Sequence, residues 1–492
     1  MTDPAPRELK RNQLGAPSIV FLVLAAVAPL TAAIVVLPLA IGFGNGGGIP
    51  VAVIVVAITL LLFATGYAQM SKELVNAGGF YAIAVRGLGR TAGLVTGLIA
   101  TLGYNAFVAG GLGTLGFFTG AVVIPALFGF QVHWFLIGTV LAVVAFLFAR
   151  AGIHVSAVVL GVSLVLETVI LLAFAGSVFV QTGFDITAFT LAFSPEILVG
   201  GSIWIGFLLV ATCFLGFEAT ALFSEEAKEP RKTIPRATFA SIIVIGLLHA
   251  VVGWALVSAL GVKDAQALSL ESLASGDMTL KLINTYLGPV LGVIALVLLV
   301  VSLFAAQLAF HNSAARYLYA LGRARIFPAW LAVTNKNGAP QRALIVNLIF
   351  SVVIAAIFAI VPLTDADGNA LPPVLTLVPV GVGFATLAIL IVQAIAALAI
   401  VVHFRRQKDR RWWSTFVAPG LGFLALLALS IGALFNFTLV AGSDALYVQV
   451  LPWLLVLTVI GGIVYAAYLR ARKPKVFEGL DADLEKFDGL SS

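Results

Sequence analysis

Long apolar runs separated by short polar joints make up this chain from Ile19 to Leu469. A bilayer core is about 30 Å thick, and a helix needs roughly 20 mostly apolar residues to cross it. Twelve runs meet that length. The first five are Pro17–Gly42, Ile49–Met70, Ala92–Ile124, Val132–Ala149 and Val155–Val180. The next five are Val199–Ser224, Pro235–Leu260, Tyr286–Gly322, Gln341–Pro362 and Val374–His403, and Val417–Phe437 and Leu446–Arg470 complete the set. The third and eighth exceed what a bilayer needs, which predicts tilt or extension beyond it. The pattern therefore predicts an all-α integral membrane protein: a ten-span core over residues 17–403, two further spans over 404–470, and polar tails at 1–16 and 471–492.

Composition agrees with this reading. Apolar residues make up 61% of the chain and charged residues 10%, against about 25% charged in a soluble domain. The partner over most of the surface is then the lipid bilayer. The net charge of +6 would hint at nucleic acid in a soluble protein. Here it follows the spans instead: of the 28 Lys and Arg, all but Lys263 and Lys281 fall on the side that holds both tails. The positive-inside rule places that side, with both termini, in the cytoplasm of a cell-membrane protein. An odd span count would scramble the partition, so charge also tests the count. Cys213 is the sole cysteine, so no internal disulfide can form. No metal-ligand cluster, nucleophile triad or cofactor motif appears. Gly111-Leu112-Gly113-Thr114-Leu115-Gly116 matches a dinucleotide pattern, but no strand precedes it and it reads as close helix packing.

Two spans carry interruptions that a plain span does not need. The first reads Ala26-Val27-Ala28-Pro29-Leu30-Thr31-Ala32-Ala33, and the sixth Thr212-Cys213-Phe214-Leu215-Gly216-Phe217-Glu218-Ala219. Pro29 removes a helical donor and clashes with the turn before it. Gly216 frees the backbone, and Glu218 places an acid near mid-membrane. Breaks at matching places in two halves point to an inverted repeat with its site at the midplane. A broken helix exposes free N–H groups at one half-helix start and free carbonyls at the other's end. The first suits a carboxylate and the second an ammonium, so residues 28–33, Cys213, Phe214, Gly216 and Glu218 are the expected floor of a site for a small amino acid or amine. The plainer alternative is that Pro29 kinks a helix and Gly216 serves packing.

Several stretches resemble the amino acid–polyamine–organocation superfamily of transporters. They are Phe214–Ala219 with Ser224-Glu225-Glu226-Ala227-Lys228-Glu229-Pro230 and Ile234-Pro235-Arg236-Ala237; Glu73-Leu74 with Gly78-Gly79-Phe80-Tyr81 and Gly87; and Asn312-Ser313-Ala314-Ala315-Arg316 with Leu318-Tyr319-Ala320 and Phe327-Pro328. The resemblance covers roughly Pro17 to His403. It implies a LeuT-type fold, with spans one to five and six to ten as inverted repeats and two helices added. It also implies alternating access, substrate held between spans one, three, six, eight and ten, and coupling to H⁺ or Na⁺, or exchange. The chain departs from the family where a glycine-rich run usually stands: Thr31-Ala32-Ala33-Ile34-Val35 follows Pro29 instead, which predicts a less open pocket floor.

Individual residues carry further expectations. Glu167 lies deep in span five, where a charge costs at least a few kcal/mol, and it is either a carrier of the coupled proton or a protonated acid bonded to a carbonyl. In part of the family a Lys near this place occupies the cation position. Glu218 could attract an amine or gate the cleft, and Phe214 could lid it. Tyr104, Asn105, Gln307 and Asn312 are polar groups that must face the interior, touching substrate or bonding between helices. Glu225 and Glu226 could close an inner gate with Arg316. His249 and His311 could relay protons, though a lone His at a span end is more often structural.

The readings in competition are a membrane enzyme, and a channel or sensor on a transporter frame. The outer acids Asp185, Asp264, Asp277, Asp365, Asp367 and Asp444 are scattered, without the dense motif an enzyme would need. A polyamine pocket should hold several acids and aromatics. Only Glu167 and Glu218 lie at depth, which favours a neutral amino acid.

Overall fold

The computed structural model describes residues 15–480, apart from 75–77, 185, 219, 221–223, 225–226, 365–366 and 441–444. Ten helices of the described residues are long and apolar enough to cross a membrane. The first and sixth expected runs are absent from that set because each is divided. The first run becomes α1 (Ala16–Val27) and α2 (Pro29–Phe43). Then come α3 (Ile49–Glu73), a short and largely buried α4 (Phe80–Leu88), α5 (Arg90–Phe128), α6 (Trp134–Ala151) and α7 (Ile153–Gln181). The sixth run opens with α8 (Ile203–Thr212), only ten residues long. It is followed by α9 (Pro230–Leu260), two short outer helices α10 (Ala265–Ser272) and α11 (Met278–Leu287), and α12 (Pro289–Arg323). The chain continues through α13 (Gln341–Ile360), α14 (Pro373–Arg406), α15 (Trp413–Phe435) and α16 (Trp453–Arg472).

Most boundaries fall within a few residues of those read from hydropathy. The twelfth run differs more: Leu446–Val450 and α16 are separate pieces around Pro452, since proline cannot continue the hydrogen-bond ladder. Helix α4 lies in the joint between the second and third apolar runs.

Packing follows from small residues. A Cβ on Gly381 of α14 would sit 3.1 Å from Gly110 Cα of α5, so these two helices touch backbone to backbone. Gly116 likewise faces the Trp134 carbonyl at the start of α6. In lipid, where apolar contact alone does not drive helices together, such close approach supplies the attraction. Large apolar side chains cover the outside instead: Ile58, Leu136, Leu247, Ile349 and Leu457 are all exposed. A face of this kind belongs against hydrocarbon.

Candidate functional site

The first interruption sits at Ala28, whose φ of 48° and ψ of 73° lie in the left-handed region. Pro29 is then the first residue of α2, a place where its missing N–H and fixed φ cost nothing. The next two donors turn away from α1. Leu30 N–H donates to Glu167 Oε2 (3.2 Å) and Thr31 N–H to Ser302 Oγ (3.2 Å). Ser302 Oγ also accepts the Thr31 hydroxyl (2.9 Å), and its own hydroxyl donates to Glu167 Oε2 (2.7 Å). The carbonyls of Ala26 and Val27 thereby lose the donors that a continuous helix would give them. Glu167, buried at 1% exposure, closes the start of α2 as an acidic cap. One turn on, residues Ala32–Val36 widen to five-residue hydrogen bonds, with Leu37 N–H reaching Ala32 O. The Ala33 carbonyl meanwhile accepts the Thr279 hydroxyl of α11 (3.0 Å).

The second interruption begins where α8 stops at Thr212. Residues 213–218 form successive turns, with Cys213, Phe214 and Leu215 N–H reaching back three residues to Val210, Ala211 and Thr212 carbonyls (2.9–3.1 Å). Gly216 has φ 117°, and a Cβ there would lie 2.8 Å from Ala26 Cβ, so the two interruptions touch at this point. Glu218 folds back to take Gly216 N–H (2.9 Å) and accepts the Tyr104 hydroxyl of α5 (2.7 Å). Tyr104 in turn stacks on Tyr317 of α12, with centroids 5.1 Å apart.

Between the interruptions lies a cleft bordered by α1, α2, α5, α8, α12 and α14. These belong to runs one, three, six, eight and ten. Its walls are mainly Val35, Leu39, Leu209, Leu303, Val378 and Val382, with Phe107 and Phe310 stacked at 3.7 Å on one side. None of the described residues bordering it is charged. Thr31, Thr114, Thr212 and Gln307 are the polar side chains in the lining. The three threonines are hydrogen-bonded, Thr212 across to Thr386 of α14 (2.8 Å). Gln307 donates to the Val108 carbonyl (3.2 Å), while its Oε1 has no hydrogen-bond partner among the described residues. Ala26 and Val27 also reach the cleft, next to their released carbonyls.

The structure gathers some of the expected residues and separates others. Thr31, Ala32 and Gln307 border the cleft. Ala28, Pro29, Leu30 and Ala33 form the break behind it, and Tyr104 and Glu218 lock spans three and six together. Cys213 is buried, its Sγ 3.9 Å from the Leu209 carbonyl. Phe214, expected as a lid, points the other way, against Gly246 of α9. Asn105 faces α13: its Oδ1 accepts from Asn347 Nδ2 (2.7 Å), and Asn347 Oδ1 accepts from His311 Nδ1. These residues bond α5, α12 and α13 to one another. Asn312 is spent on the Leu308 carbonyl (3.0 Å), and Arg316, 3% exposed, donates to the Asn312 carbonyl (3.4 Å). Glu225 and Glu226, expected to gate with Arg316, lie outside the described residues. Phe107, Phe310 and Ser302 were not singled out from sequence. A helical projection of runs three and eight with Tyr104 and Gln307 turned inward would have found the two rings.

Comparison with known proteins gives this geometry a family. The amino acid permease family model matches residues 14–464. The branched-chain amino acid permease BcaP of Lactococcus lactis is 28% identical over 284 residues, 57% of this chain and only 54% of that protein, so the likeness spans about half the length of that relative. An uncharacterized transporter of Mycobacterium tuberculosis is 27% identical over 402 residues, 79% of this chain and 78% of its own. Among solved structures, that of MhsT in complex with L-phenylalanine aligns at a TM-score of 0.52 and 13% identity, covering 87% of this chain and all of that one, and it supports the LeuT-type fold. The relatives are transporters and not enzymes, and with its helical membrane fold this chain belongs to the amino acid permease family of the amino acid–polyamine–organocation superfamily.

Proposed function

We propose that this protein carries a neutral amino acid with an apolar side chain across the cell membrane by alternating access, coupled to protons through Glu167. The observation that carries the reading is the cleft itself. It is apolar, uncharged on its walls, and set where two broken helices leave backbone groups without helical partners. Released carbonyls at Ala26 and Val27 and the open Gln307 Oε1 suit an ammonium. A carboxylate needs N–H donors, and those at Leu30 and Thr31 are held by Glu167 and Ser302. Protonating Glu167 removes the charge that competes for them, which would tie proton entry to substrate binding. Val, Leu and Phe walls fit a branched aliphatic side chain, in keeping with the name of the lactococcal relative.

Helix pairing supports two related halves. Spans two and seven pack on each other, as do three with ten and eight with five. Under a correspondence of one to five with six to ten, the first pair maps onto itself and the other two exchange. The side that carries nearly all Lys and Arg is then cytoplasmic, with both termini there.

Uptake of labelled leucine, isoleucine and valine into proteoliposomes, with and without an inward proton gradient, tests the proposal. Gradient-driven accumulation is expected for at least one of them, insensitive to sodium. Accumulation that requires sodium at constant pH would replace the proton reading. A preference for diamines over all three would overturn the substrate reading.

A further inference from the structure

At the corner where spans two, ten and eleven reach the basic side of the membrane, the chain builds a rigid and strongly basic turn. Helix α14 ends at Arg406, and Lys408 at φ 55° closes it, with Asp409 N–H returning to the Phe404 carbonyl (3.1 Å) and Lys408 N–H to Arg405 O (3.1 Å). This closure satisfies the last helical carbonyls and fixes the exit of the chain. Arg405 braces the turn from within. Its guanidinium donates to the Asp409 carbonyl and Thr415 Oγ1 (both 2.8 Å) and lies over the Trp412 and Phe416 rings at 4.5 and 5.4 Å. Arg406, Lys408, Arg410 and Arg411 are exposed on the outside of this frame. Lys72 of α3 joins them: its Nζ and the Arg411 guanidinium converge on the Gln69 side-chain oxygen at 3.4 and 2.9 Å.

The acids nearby are already committed. Asp409 accepts the Arg411 guanidinium in three contacts of 2.5–3.2 Å and the Arg411 backbone N–H in a fourth (2.7 Å), which holds its carboxyl below the usual carboxylate range and keeps it ionised. Glu73 hydrogen-bonds His403 at 3.0 Å, and these two acids face the six cations Lys72, Arg405, Arg406, Lys408, Arg410 and Arg411. Lys72, Lys408 and Arg410 therefore present charge in excess. Beside them Trp412 and Trp413, 59% and 61% exposed, open the eleventh span. Exposed indoles at a span end sit at headgroup depth, and juxtamembrane cations attract acidic lipid.

We propose that this corner is a binding site for an acidic phospholipid, with Lys72, Lys408 and Arg410 on the phosphodiester and the acyl chains along Trp412, Trp413 and Phe416. A soluble anion would need the cations but not the indoles, and only a lipid uses both. The test places the full-length protein in nanodiscs of phosphatidylcholine containing a minor fraction of either phosphatidylglycerol or phosphatidylcholine with brominated chains, and reads quenching of tryptophan fluorescence. Its outcome does not depend on membrane orientation. Phosphatidylglycerol is expected to quench with a preference of at least about fivefold, the equivalent of one well-placed cation at an anionic surface. The excess should vanish in K72Q/K408Q/R410Q, and separately in W412F/W413F, all at exposed positions. Equal quenching by the two lipids would overturn the site, as would an excess that survives either variant. Loss of the excess on adding inorganic phosphate at unchanged ionic strength would show that a soluble anion suffices and would overturn the lipid assignment.

Discussion

At Glu167 one carboxylate oxygen takes both the Leu30 N–H and the Ser302 hydroxyl, so glutamine can keep the shape while removing the titratable group. Glu167→Gln should lower proton-driven uptake by roughly 100-fold or more, the scale of a lost proton-transfer group. Substrate exchange across liposomes at equal pH should persist in that variant, and uptake that still follows the proton gradient would dismiss the coupling role. Tyr104→Phe strips a donor from the buried Glu218 carboxyl. It should cost about 1–3 kcal/mol, the penalty for an acceptor left unmade, read as a lower unfolding temperature in detergent. Phe310→Ala removes one ring of the stacked pair and enlarges the cleft. Competition assays should then show preference moving from valine toward larger side chains such as phenylalanine.

At the scale of the element, the two broken helices respond oppositely to glycine. Ala28 holds a left-handed conformation that costs an L-residue roughly 1–2 kcal/mol, so Ala28→Gly should raise the unfolding temperature or leave it unchanged. Gly216→Ala combines a φ of 117° with a Cβ placed 2.8 Å from Ala26. It should lose about 1–3 kcal/mol and most of the uptake. Pro29, Gly216 and the acids near them were legible in sequence because proline, glycine and a membrane-buried charge each break a local rule. The seat of the first break was less so: Ala28 carries no signal of its own, and proline is as much at home at the start of a helix as in a kink. Phe214 could not be aimed from sequence, because a segment in turns has no helical phase to project. Ser302 stayed hidden since a hydroxyl in a span usually bonds its own helix. Only the packing of α12 against α2 turns it toward Thr31 and Glu167.

For the whole molecule, hydropathy and charge were enough to read a helical membrane domain, because lipid allows few other solutions. The interlock of its helices was not readable, since it depends on backbone contacts such as Gly110 against Gly381. The proposed orientation is open to direct test, as the sole native cysteine, Cys213, is buried. Lys263→Cys should react with a membrane-impermeant maleimide on intact cells, and Lys408→Cys only after lysis; the reverse pattern would invert the protein. The contact of Gly216 with Ala26 also bears on how such a machine can move. Under the proposed alternating access, a swing of α1 that displaces Ala26 is transmitted to Gly216, so the two breaks are expected to shift together and not one after the other.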